Sequence, residues 1–356
     1  MISIVFVNLI CKEVVLLCSG LSFTSVLLLS TILYYIMSVT NNSSVEILFV
    51  QQTFQVVLTE GPIMKVIFAT LMSIFFIYLN AIMIYTLWSK SVFKETPRYI
   101  LFTHMLLNDS IQLFFTSMLY IFSLSLLKLV TAACAFVVFV SVTTFRNAPL
   151  NLAVMSLERY VAICFPLRHA EIATQKRTHI AIGVIWFIGS INFVIDLLYV
   201  AVLDRNFLTS QILCVRERLF IKQWQADALQ ALSIFYFVLV SMIILFTYIN
   251  IVITARSIPS NKDSAAKAHK TVLLHFIQLG LCLSSFLYSF IERAAALVVN
   301  STLISDLRYL NYLFVLILPR CLSPLIYGLR DNAVRPLFIY YFWHATGKRR
   351  STVNVH

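Results

Sequence analysis

Seven apolar runs of about 20 residues or more, a charged share of only 12% and basic residues gathered in alternate loops predict an all-α membrane protein. The architecture expected is a seven-transmembrane helix bundle with a short amphipathic C-terminal helix. A soluble domain carries roughly 25% charged residues. Half that share, in 356 residues that are 60% hydrophobic, cannot cover a water-facing surface. A β-barrel would alternate in segments of about ten residues, whereas the apolar runs here are continuous. The net charge of +12 does not predict nucleic-acid binding, because the positive charge lies in loops that alternate along the chain. There is no Walker loop, no HExxH and no GxGxxG, so no enzyme, cofactor or metal is expected.

Residues 1–36 form an apolar leader. Lys12 and Glu13 separate a short run from a longer one, Val14 to Met37, which exceeds a signal peptide's apolar core. Met37 as the true start, an uncleaved signal-anchor and a cleaved signal remain three open readings. Residues 37–61 are expected outside the cell, with overlapping N-x-S sequons at Asn41 and Asn42. A third sequon, at Asn300, falls between the sixth and seventh spans, on the same side if the N-terminus is outside.

The bundle itself is expected over residues 62–330. The first span runs from about Pro62 to Trp88 and holds Asn80, the kind of lone amide that ties helices together in lipid. Lys90, Lys94 and Arg98 follow in a loop placed inside. The second span, about Arg98 to Ser123, holds Asp109, a carboxylate that at bilayer depth needs a partner. The third runs from Lys128 to Cys164. Cys134 and Arg159 are 25 residues apart on it, about 37 Å and a full crossing. Trp186 lies in the fourth span, about Thr178 to Val200, and Tyr248 near the inner end of the fifth, about Asp227 to Ala255. The sixth opens with KAHKTVLLH at residues 267–275. There Lys267, Lys270, Thr271 and His275 fall largely on one helix face. The seventh, about Leu307 to Leu329, is broken by Pro324, with Tyr327 a turn beyond. Residues 331–356 supply an interfacial helix and a basic tail. Most of the 27 Lys and Arg then sit in the inner loops and the tail, which puts the C-terminus in the cytoplasm.

The stretch NLAVMSLERYVAICFPLRH, residues 151–169, resembles the rhodopsin-like G-protein-coupled receptors. Lys267, Ala268, Thr271 and His275 match the K-A-x-x-T-x-x-x-H pattern of their odorant receptor branch. Together with SPLIYGLRD the wording looks like the kind found in fish. The resemblance covers residues 45–345 and implies several roles. Glu158 would latch Arg159 in the resting state. Glu158, Arg159, Tyr160, Tyr248, Lys267, Thr271, His275, Pro324 and Tyr327 would form the switch and the G-protein face. Cys134 would be bridged to Cys214, where the residues alone leave two free thiols possible.

Departures from the family carry information too. Ser141 stands where amine receptors carry an Asp, so an amine ligand is not expected. An apolar cavity lined by Ser141, Val142, Phe145, Ser233, Tyr236, Phe286 and Phe290 suits small organic odorants, though each of these side chains could equally serve helix packing. Arg146 either meets an anionic ligand there or is a structural cation. Many relatives hold sodium with the second-span Asp and small polar groups on spans three and seven. Here Ala148, Pro319 and Arg320 occupy the matching positions, which predicts a buried Asp109–Arg320 ion pair. The sixth span reads Cys282-Leu283-Ser284-Ser285 in place of the family's Cys-Trp-x-Pro. The resemblance implies an odorant receptor in the plasma membrane, raising cyclic AMP through a stimulatory olfactory G protein, with membrane lipid around it. A non-olfactory receptor for a lipid or peptide, and a transporter or channel, are the rival readings.

Overall fold

The computed structural model describes residues 60–125, 127–203, 206–214, 223–257, 312–318 and 333–345, together with Leu219, Tyr309, Leu310, Arg320 and Asp331. All of these except Tyr309 and Leu310 belong to one compact unit, Leu58–Tyr288 with Asn311–His356. Within it run α1 (Glu60–Trp88), α2 (Pro97–Leu124), α3 (Thr131–Cys164), α4 (Gln175–Leu203) and α5 (Gln223–Ser257). Among the described residues these five are the helices long and apolar enough to cross a membrane. Later come a single π turn, Tyr312–Ile317, and a C-terminal helix, Arg335–Ala345.

α3 is the axis of the bundle. It packs against α2, α4 and α5, and 67% of its membrane window is buried, against 22–39% for the other four. The outward faces of the others carry bare apolar side chains, among them Phe68, Leu71 and Phe75 on α1 and Phe187, Ile195 and Leu198 on α4. Water would penalise such faces, whereas lipid tails accept them. Because lipid also removes the hydrophobic drive between helices, the contacts that hold the bundle are close packing and internal hydrogen bonds. Asn80 donates to Ser110 Oγ at 3.1 Å, joining α1 to α2. Asn108 donates to the Thr144 carbonyl at 2.9 Å, and Asn151 to that of Leu101 at 3.3 Å, joining α2 to α3. Trp186 of α4 donates to His104 Nε2 at 2.9 Å, while His104 Nδ1 meets Asn151 Oδ1 at 3.3 Å. One imidazole thus ties three helices. With its nitrogen turned to the carbonyls, Asn147 donates to Ile185 and Thr143, each at 3.1 Å. Gly189 makes room for that amide, which a Cβ there would strike.

Two apolar cores are formed among the described residues. One, at the Arg159 end, gathers Met83 and Leu87 of α1, Leu101 and Met105 of α2, Leu152 and Met155 of α3 and Ile244 of α5. The C-terminal helix docks there through Val334 and Phe338, with Tyr341 edge-on to Tyr85 at 5.0 Å. The other core, at the Cys134 end, holds Val138, Val142, Phe193 and Leu219.

The structure moves some boundaries. The first three residues assigned to the third span, Lys128–Val130, form a strand, β1, rather than helix. It pairs antiparallel with β2 (Gln211–Leu213), Lys128 opposite Leu213 and Val130 opposite Gln211. Backbone groups outside the helix need partners, and the loop after α4 supplies them because Cys214 is bonded to Cys134. A small sheet therefore accompanies the helices. α4 and α5 also extend beyond their expected ends by two to four residues, and the C-terminal helix occupies Arg335–Ala345 within the 331–356 segment.

Candidate functional site

Three clusters of polar groups sit on this frame, at the two ends of α3 and in its middle. At one end Cys134 and Cys214 form a disulfide across 80 residues of chain, with Cα atoms 5.4 Å apart. Thr131 adds a hydroxyl bond to the Ser210 carbonyl at 2.9 Å. This end of α3 is therefore held by a covalent bond, a ladder and a hydroxyl.

In the middle, Asp109 of α2 and Arg320 approach to 3.8 Å, with side chains only 3% and 4% exposed. The Arg320 guanidinium also lies over the Phe145 ring, 5.7 Å from its centroid, a second favourable setting for a cation out of water. Arg146, one residue on, is buried as well. Beside them runs a polar chain between α2 and α3. Gln112 Nε2 donates to Thr116 Oγ1 at 2.7 Å, Thr116 meets Ser141 Oγ at 3.4 Å, and the Thr144 hydroxyl donates to Gln112 Oε1. Ser141 is thereby engaged with α2, and Val142 is buried in the Cys134-end core. On α5, Ser233 is half-buried, and the Tyr236 hydroxyl donates to the Ile188 carbonyl of α4 at 3.4 Å. Asp196 accepts from Asn192 Nδ2 at 3.2 Å.

At the other end of α3, Glu158 Oε2 lies 3.8 Å from Arg159 Nε, and Glu158 Oε1 lies 3.2 Å from His169 Nε2. The imidazole reaches back because Phe165 ends α3 and Pro166–Arg168 make a tight turn into the short helix His169–Ile172. The Tyr160 ring sits 5.3 Å from Phe246 of α5, and Tyr248 is half-buried on the same helix. Leu167, at the tip of the turn, is 99% exposed. Nearby, Asp331 joins the start of α2 to the approach of the C-terminal helix. Its Oδ2 takes Arg98 Nη2 at 2.7 Å and the Tyr99 hydroxyl at 3.1 Å, and its Oδ1 takes the Ala333 amide at 3.0 Å.

The sequence reading did not single out the roles of His169, Asp331, His104 or Asn147. An Asp two residues ahead of Ala333, just before a helix, carries the mark of a local turn cap, but nothing in the sequence points to Arg98, 233 residues away. Lys267, Thr271, His275, Phe286, Phe290, Pro324 and Tyr327, and the sequon residues Asn41, Asn42 and Asn300, lie outside the described residues.

Residues 79–327 match the profile of the 7 transmembrane receptor (rhodopsin family). The chain is 32% identical over 310 residues to Odorant receptor 131-2 of Danio rerio, covering 86% of this chain and 91% of that protein. It is 32% identical over 145 residues to Olfactory receptor 2AJ1 of Homo sapiens, 40% of this chain and 44% of that one. Over 252 residues it is 26% identical to Olfactory receptor-like protein COR6 of Gallus gallus, 68% of this chain and 78% of that one.

Proposed function

From a chain that belongs to the rhodopsin-type seven-transmembrane receptors, and within them to the fish-type odorant receptors, we infer a receptor that binds a small organic odorant inside its helix bundle and activates a heterotrimeric G protein. The G protein is of the stimulatory, olfactory type, and the second messenger is cyclic AMP. The observation that carries this reading is similarity along nearly the whole of an odorant receptor. The Glu158–Arg159 pair closing the end of a helix anchored at its far end by a disulfide supports it. The chain crosses the plasma membrane with its N-terminus outside and its C-terminus in the cytoplasm, which puts Arg159, Tyr160, Tyr248, Leu167 and the C-terminal helix on the G-protein side.

Ligand favours a pre-existing state in which Glu158 releases Arg159 and a cytoplasmic cleft opens. Ser141, Val142, Phe145, Ser233 and Tyr236 contribute the α3 and α5 walls of the cavity. Arg146 is the natural counter-charge for an acidic odorant. Asp109 and Arg320 neutralise each other in the core, so the receptor needs no bound ion between them.

The test is cyclic AMP production in cells that supply an olfactory-type G protein. The chain, started at Met37, is presented with an odorant panel, and Arg159→Ala serves as control. A ligand-dependent rise that disappears in the variant is the expected result. A surface-expressed receptor that raises calcium but never cyclic AMP would overturn the choice of G protein. Unchanged responses to carboxylic acids in Arg146→Gln would remove Arg146 from the cavity.

A further inference from the structure

One carboxylate at the cytoplasmic end of α3 serves two basic side chains, and the imidazole is the nearer. His169 Nε2 stands 3.2 Å from Glu158 Oε1, within hydrogen-bond length, whereas Arg159 Nε stands 3.8 Å from Oε2, outside it. An ionised carboxylate only accepts, so the ring nitrogen facing it carries a proton already. A second proton can then add at Nδ1 without disturbing this contact. The Glu158 side chain is 10% exposed and that of His169 29%, so the ring is reached by solvent while the carboxylate beside it is largely screened from water. Histidine is also the side chain whose charge ordinarily changes close to neutral pH.

We propose that His169 is a proton-dependent positioning residue for Glu158. In its imidazolium form it competes with Arg159 for the carboxylate, so that acidification of the cytoplasm favours release of Arg159 and raises signalling. The direction follows from charge. A neutral ring leaves the negative charge of Glu158 to Arg159. A charged ring makes a stronger, charge-assisted bond to the same carboxylate and places a second cation beside the guanidinium. Among the described residues, the other charged groups on the adjoining segments are Arg168 in the preceding turn, Glu171 in its own helix, and Arg177 of α4. Arg177 Nη1 is occupied by the Glu171 and Ile172 carbonyls, at 2.9 and 3.1 Å. None of these is a carboxylate as close to the ring as Glu158 among the described contacts.

The proposal rests on the signalling reading above, and its test separates the two. The full chain is purified into lipid nanodiscs as wild type, His169→Gln, Glu158→Gln and the double variant. Glutamine keeps a neutral donor and cannot take up a proton. Thermal midpoints of the four at about pH 6 and about pH 8 give the coupling between the two positions without any G protein. A coupling larger at the lower pH, by a degree or two, is expected; no coupling, or the same at both, overturns the contact. Nucleotide exchange on a stimulatory G protein is then measured as the ratio of wild type to His169→Gln at each pH, which cancels the G protein's own pH dependence. This ratio should rise on the order of two- to fivefold from the higher pH to the lower. A flat ratio with the coupling intact overturns the regulatory role and leaves the signalling reading standing. No receptor-dependent exchange by any variant counts against that reading itself, while the thermal cycle still decides the contact.

Discussion

At Gly189 α3 and α4 approach so closely that a single added methyl group should be costly. A methyl group at this position runs into the Asn147 amide, with the Thr143 carbonyl of the same helix 3.3 Å away. Backbone cannot yield cheaply, so in Gly189→Ala the Asn147 side chain must leave. It then loses its 3.1 Å bonds to Ile185 and Thr143. An added methylene in a packed site costs about 1–3 kcal/mol, and a lost interhelical bond in lipid about 0.6 kcal/mol. The sum, about 1.6–3.6 kcal/mol, corresponds to a fall of roughly 2–5 °C in the thermal midpoint of the purified receptor. If the amide is the obstacle, removing it first should clear the space. In an Asn147→Ala background the same glycine substitution should cost less than about 1 kcal/mol. Unfolding followed by intrinsic fluorescence for the wild type, the two single variants and the double variant gives both numbers. Equal losses in the two backgrounds would refute the collision and, with it, the account of why α3 and α4 lie so close.

Two further predictions concern charged groups. Neutralising only one member of the buried pair, as in Asp109→Asn or Arg320→Gln, should cost about 3–5 kcal/mol. The double variant should recover part of it, and strictly additive midpoints would show that the two groups do not act together. Asp331→Asn keeps an oxygen for the Ala333 amide but gives up the ion pair with a partly exposed Arg98, so global stability should change by no more than about 1 kcal/mol. The docking of the C-terminal helix is what loosens. Amide exchange at Val334, Arg335, Leu337 and Phe338 should quicken while that of α3 holds, and unchanged exchange would remove Asp331 from that role.

The bundle was legible because lipid imposes a length and a composition on each crossing. Long apolar runs between basic loops placed α1 to α5 within a few residues. The exception, Lys128–Val130, is instructive. Its apolar pair reads as helix, yet its backbone is claimed by Gln211–Leu213, a partner some 80 residues on that no periodicity reveals. A charge inside an apolar run also stands out, so Asp109 and Arg320 were each conspicuous, and the resemblance to receptors that hold an ion at the matching positions suggested pairing them. Uncharged polar partners do not stand out. His104, Asn147 and Trp186 are ordinary letters in their helices, and only the crossing of those helices brings His104 to Trp186 or Asn147 to Gly189. The same holds at the far end of α3, where Glu158 and Arg159 announce themselves as neighbours, but His169 meets them only because the Pro166 turn folds the chain back.

The anchoring of α3 has a mechanical consequence. A rod pinned covalently at one end and held only by side-chain packing at the other can act as a lever, and the disulfide, the ladder and the Thr131 hydroxyl place its fulcrum beside Cys134. Ser141 lies about 10 Å along the arm and Arg159 about 37 Å. A tilt of about 5° then moves Ser141 by roughly 1 Å and Arg159 by roughly 3 Å, by the geometry of a rigid helix with about 1.5 Å rise per residue. An adjustment no larger than a bond length near the fulcrum thus arrives at the far end as a displacement about three times as large, which carries Glu158 and Arg159 together past the helices packed beside them. The leverage is threefold or more, and it costs the helix no internal rearrangement.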